Sequence, residues 1–137
     1  MVQFLVKQWD ENKHNLEKYF RTTSMEEYDS YKDIVRKLFE LVLLKADEYC
    51  EFDIDKMTVI NDGDYQGTLL FIIPKATYQP DATEYVVTNS YYGSCSGCDL
   101  LQSIILYDDG LPDDKQVRQL MQLSLNLVQE MKWIYDN

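Results

Sequence analysis

Two cysteines three residues apart, Cys95 and Cys98, form the sharpest chemical motif in the chain. Such a pair brings two sulfurs within reach of one metal ion, or of each other as a redox dithiol. Structural zinc takes four ligands, and the other candidates, Cys50 and His14, fall in distant parts of the sequence. A second Cys-x-x-Cys pair is absent, and so is the βαβ pattern that a thioredoxin-like dithiol needs. The segment Gly93-Ser94-Cys95-Ser96-Gly97-Cys98 therefore reads first as a tight, glycine-flanked loop with small buried thiols. Its alternative role is a ligand loop that works with Gln66 and Gly67, taking a small ligand or, through Cys95 and Cys98, zinc. Amides near Gly93 and Gly97 have the freedom to form an anion nest. No Lys or Arg between Lys75 and Lys115 is at hand to help neutralise that anion.

Catalytic equipment is otherwise sparse. The one histidine, His14, lies in a charged helical stretch, where a solvated side chain is the expected state. The chain has no HExxH, GxSxG, dinucleotide-type glycine or P-loop pattern. The expectation is a protein that binds and does not catalyse.

Charge points to what it binds. The 137 residues carry 24 acidic and 13 basic side chains, a net charge of −11. Residues 1–45 are neutral overall, whereas residues 46–114 hold 14 acidic groups against Lys56 and Lys75 alone. A field so uneven repels phosphate backbones and attracts basic surfaces. Direct nucleic-acid binding is thereby disfavoured, and a basic protein that itself handles nucleic acid becomes the expected partner. Eleven tyrosines add interface chemistry, and Tyr78, Tyr85, Tyr91, Tyr92 and Tyr107 are among those that fall in the acidic segment. The expected partner-binding residues are Asp62, Asp64, Tyr65, Gln66, Tyr92, Asp99, Asp108, Asp109, Asp113 and Asp114. Three cysteines argue against a disulfide framework, and no apolar run reaches membrane-spanning length. With no signal-peptide pattern at the start, the expectation is a soluble protein of the cytoplasm that does not engage membranes. A homodimer formed through the helices is a further expectation.

The elements that must position these residues follow from periodicity. Residues 2–21 read as an amphipathic helix on Phe4, Leu5, Trp9, Leu16, Tyr19 and Phe20, interrupted by the polar stretch Asp10–Asn15. Ser24 with Glu27 predicts a capping box, opening a second helix that keeps its spacing to about Tyr49. Met57–Asn61 and Thr68–Ile73 read as strands joined by an extended or bulged hairpin, and Tyr85–Tyr92 alternates as a third. Hairpin order would bring Tyr65 and Gln66 to the same end of the sheet as the cysteine loop. Leu100–Leu106 predicts one or two helical turns. Pro112 is expected in the first turn of a last helix with Asp113 and Asp114 at its positive end. That helix would bury Val117, Leu120, Met121, Ser124, Leu127, Val128, Met131 and Tyr135. The expected fold is one α+β domain over 1–137, with a small antiparallel sheet of about three strands packed on helices from both termini. Its parts are helical 1–50, the sheet and cysteine loop at 51–110, and the last helix at 111–137.

Three segments, Asp62-Gly-Asp-Tyr-Gln-Gly-Thr68, Thr77-Tyr-Gln-Pro80 and Tyr92-Gly-Ser-Cys-Ser-Gly-Cys-Asp99-Leu-Leu-Gln102, are followed by the helix Val117–Val128. Together they resemble a group of uncharacterised small acidic proteins of bacteriophages and prophages. The likeness covers roughly residues 57–130 and leaves out the N-terminal helices. It implies a viral protein that inhibits host machinery, as anti-CRISPR and anti-restriction proteins do by presenting carboxylates where DNA phosphates would sit. On that reading the acidic, Tyr-rich surface binds a nucleic-acid-handling or defence protein of the host cell.

Overall fold

A computed structural model describes residues 2–64, 66–94, 99–105 and 110–134. The fold is α+β. Helices α1 (Val2–Thr22) and α2 (Tyr31–Leu41) lead into strands β1 (Thr58–Asn61), β2 (Gly67–Pro74) and β3 (Tyr85–Tyr92). A short helix α3 (Leu100–Ile105), the long α4 (Asp114–Gln129) and a two-residue strand β4 (Lys132–Trp133) complete it. The sheet is antiparallel in the order β1-β2-β3-β4. The fourth strand is an addition to the expected three. Two residues carry no periodicity of their own, so only pairing with Val86 and Val87 reveals it.

Alternation along the strands separates the two faces of the sheet. Phe71, Ile73 and Val86 enter the main core with Leu5, Leu16, Phe20, Leu38 and Leu120, and Thr88 donates to the Leu127 carbonyl of α4 at 2.7 Å. Ile60, Leu70, Ile72 and Tyr91 occupy the opposite face.

The polar interruption in α1 has a specific task. Gln8, Asn12 and Asn15 share one helix face at intervals of four and three residues. The Gln8 amide donates to the Lys45 carbonyl and accepts from the Lys45 amide, both at 2.8 Å. Asn12 donates to Val42 O at 3.0 Å and Asn15 to Leu41 O at 3.1 Å. These carbonyls belong to the end of α2 and the chain just beyond it, where helical partners run out. The helix therefore stops at Leu41 and not near Tyr49, although Val42, Leu43 and Ala46 stay buried.

Its start is corrected too. Ser24 makes no side-chain cap, and Met25–Tyr28 forms only a 3₁₀ turn. Tyr28 is fully buried and donates to the carbonyls of Phe20 and Thr23, pinning the chain before a helix can continue. Ser30 is the true cap, accepting from the Asp33 amide at 3.3 Å. At α4 the cap is Asp113, in a capping box with Gln116, so Pro112 precedes the cap and does not enter the first turn. The buried stripe of α4 gains Leu123, and Met121 lies only partly buried; Tyr135 falls outside the described residues.

The amide seam, with Gln8 buried and Asn12 and Asn15 half-buried, predicts a stability effect. Gln8→Ala removes two hydrogen bonds and leaves both Lys45 backbone groups unpaired, at a cost of about 1–3 kcal/mol. Urea unfolding against the exposed-site control Lys7→Ala measures it. Equal midpoints for the two variants would contradict the role given to Gln8.

Candidate functional site

The two motif segments meet at one end of the sheet, because Gly67 pairs with Tyr92 across β2 and β3. The turn between β1 and β2 is built by its own polar side chains. Asn61 Oδ1 accepts from the Gly63 amide at 2.9 Å and from the Tyr92 hydroxyl at 2.6 Å. Asp62 Oδ1 accepts from the Thr68 amide at 2.6 Å. A Cβ at Gly63 would stand 2.0 Å from the Gln66 carbonyl oxygen, and one at Gly67 would stand 2.6 Å from Asp62 Oδ1. Gly63 is therefore required by the backbone of the turn itself, whereas a side chain at Gly67 would displace the Asp62 carboxylate from the Thr68 amide. Gln66 is exposed, and its Oε1 accepts from the Tyr91 hydroxyl at 3.3 Å.

Asp99 is the organising residue of this end. It is 4% exposed, so it is a buried carboxylate and not part of an acidic surface as expected. Its Oδ1 accepts from the Tyr31 hydroxyl at 2.9 Å and the Gln102 amide at 3.1 Å, and its Oδ2 accepts from the Gly93 amide at 2.9 Å. Tyr31 Oη in turn accepts from the Leu101 amide at 3.1 Å. Burial, with Asp99 beside it, pushes the Tyr31 phenol well above its ordinary range, so the hydroxyl stays a donor throughout the working pH range. The amide of Gly93, expected to be available to a bound anion, is occupied by the chain's own carboxylate. Only the exposed Ser94 of the adjoining loop is described; Cys95, Ser96, Gly97 and Cys98 lie outside the described residues, as do Tyr65, Tyr107, Asp108 and Asp109.

Between α2 and β1, this network borders a cleft of about 440 Å³. Val59, Leu69, Leu101 and the Tyr92 ring give it an apolar lining, and Asp29 and Lys32 stand on it with Asn61. Ser30, Tyr31, Asp99 and Gln102 also reach it, but most of its exposed area is apolar, which suits an apolar side chain or a small organic group.

The remaining expected carboxylates divide by role. Asp113 caps α4, and Asp114 pairs with Arg21 at 2.6 Å, which holds its carboxyl below the usual range. Asp64 is exposed, as is Asp29, a residue that the sequence did not single out. Among the described residues, no ion pair engages Asp29, Asp62 or Asp64. Among the described residues, too, no group of three or more His, Cys, Asp or Glu is arranged to hold a metal, and no helix is long and apolar enough to cross a membrane. Cys50, the third thiol, is half-buried and donates to Glu51 O at 3.3 Å.

A second cleft, of about 410 Å³, opens at the far end of the sheet. There the Lys75 ammonium sits 2.8 Å from Asp47 and 5.0 Å from the Trp133 ring centroid. The hydrogen bond from Lys75, with the Tyr49 amide, lowers the Asp47 pKa.

The chain matches no protein-family model, no curated protein and no solved structure. The fold is α+β, with an open cleft at the Gly67–Tyr92 end of its sheet.

Two expectations follow. Asp99→Asn turns an amide NH₂ toward the Gly93 N–H or the Tyr31 hydroxyl, and should destabilise by about 2–3 kcal/mol. Tyr31→Phe should cost less, and a double-mutant cycle in denaturant should show coupling between the two. Strict additivity would contradict the shared network. For the Lys75–Asp47 pair, a lowered carboxyl pKa means stabilisation that is present above the ordinary Asp value. That stabilisation fades as pH falls below about 4. Thermal unfolding of wild type and Asp47→Asn should therefore differ at neutral pH and converge in acid. A gap that persists at low pH would remove the pair as its cause.

Proposed function

We propose that the protein is a non-enzymatic binding protein whose acidic cleft end engages a basic surface on a host protein that handles nucleic acid or serves in defence. By occupying the place where phosphates would sit, it inhibits that protein. The observation that carries this reading is a set of exposed carboxylates outside any ion pair among the described residues: Asp29 on the apolar cleft, and Asp62 and Asp64 in the turn that follows β1. An apolar centre within an acidic rim suits a cationic protein surface, since rim charges steer encounter and the desolvated centre supplies affinity. The resemblance to phage-type proteins supplies the host setting. Asp113 and Asp114, tied to the α4 cap and to Arg21, contribute less to this reading than their charge suggested.

Tagged protein should capture one dominant basic partner from nuclease-treated host lysate, with capture falling as salt rises. Asp29→Lys combined with Asp64→Lys should slow association at least tenfold at low salt and leave the unfolding midpoint close to that of wild type. Unchanged association and no salt dependence would exclude the acidic docking surface.

A further inference from the structure

The sheet ends on β1, and among the described residues no strand lies beyond it. The Asp62 amide donates to the Thr68 carbonyl at 3.3 Å, which sets the phase of the β1–β2 ladder. In antiparallel pairing the bonding direction alternates, so Ile60 and Thr58 also direct their N–H and C=O toward β2. Val59 and Asn61 direct theirs to the open side. Side chains alternate as well: Val59 and Asn61 line the 440 Å³ cleft on the helix-facing side, and Ile60, 50% exposed, lies on the other face. Backbone donors and acceptors with no partner among the described residues thus run directly along the mouth of an apolar cleft. An added strand would point every second side chain into that cleft and the intervening ones outward beside Ile60 and Asp62.

We propose that β1 and the cleft form a strand-addition site for an extended segment of the partner, one that alternates large apolar and basic residues. The segment hydrogen-bonds to the Val59 and Asn61 backbone and inserts an apolar side chain against Leu69 and Tyr92. It sets Lys or Arg beside Asp62 and Asp64. Main-chain bonds supply affinity in this mode, and the cleft supplies selection. On the cleft itself Asp29 stands against Lys32, so the basic character follows from Asp62 and Asp64, the exposed carboxylates of the turn that follows β1. Only that charge preference rests on the docking role proposed above; the strand addition rests on the ladder phase and the cleft.

A blocked heptapeptide of alternating lysine and leucine, titrated into the intact protein and followed by NMR, provides the test. Binding should slow hydrogen exchange at the Val59 and Asn61 amides at least tenfold and bring leucine methyls into contact with Val59 and Leu69. Val59→Pro removes an open-side N–H without touching the β1–β2 ladder, and should weaken binding at least tenfold. A matched peptide of alternating lysine and glycine should bind at least tenfold less well. Peptide binding that leaves both amides exchanging freely would overturn strand addition, as would no binding at low salt. Should Val59→Pro fail to fold, exchange in the unaltered protein decides the matter. Salt-sensitive binding that is lost in Asp64→Lys while both amides stay unprotected would refute the strand and spare the acidic surface. Protection of both amides with no dependence on salt or Asp64 would spare the strand and refute the charge preference.

Discussion

A carboxylate taken out of water must find donors, and the structure is organised around how Asp99 finds them. Its partners come from three separate parts of the chain: the Tyr31 hydroxyl on the first turn of α2, the Gly93 amide just past β3, and the Gln102 amide in α3. Satisfying one buried charge therefore fixes α2, the end of the sheet and α3 relative to one another. The cleft between α2 and β1 exists because this junction holds α2 near the strand end while Asn61 and Tyr92 tie the β1–β2 turn to β3.

The same economy runs through the acidic residues. Asp62 closes a turn, Asp113 caps a helix and Asp114 pairs with Arg21, each meeting backbone donors or a cation at short range. A large negative charge is thus divided between groups that shape the fold and groups such as Asp29 and Asp64 that face solvent. Exposed charges of the second kind contribute little to stability and much to the rate and choice of encounter.

Strand β3 was legible to its last residue, since Tyr85–Tyr92 alternates and Gly93 follows. The proximity of Gln66 to the loop after β3 was legible as well, because hairpin order alone brings them together. What local pattern could not carry were choices made at a distance. Ser24 with Glu27 and Ser30 with Asp33 have the same spacing, and the burial of Tyr28 decides between them. The apolar run beyond Leu41 keeps helical spacing, yet amides on α1 accommodate the break. Asp99 reads as a surface residue until Tyr31, 68 residues away, is placed beside it. In the candidate site, residue type singled out Tyr92, which lines the cleft, and Asp64, which is exposed. It gave no sign of the place of Asp29 on the cleft or of the open side of β1, because those depend on which element packs next to which.

The central claim is that the protein acts through the α2–β1 end of its sheet. Hydrogen-exchange mass spectrometry of the complex with its captured partner tests it most directly. The account predicts protection concentrated in residues 29–32, 57–64 and 91–93, with the far cleft at Lys75 and Trp133 unchanged. Protection centred on that far cleft or on the exposed face of α1, with residues 57–64 unaffected, would contradict it.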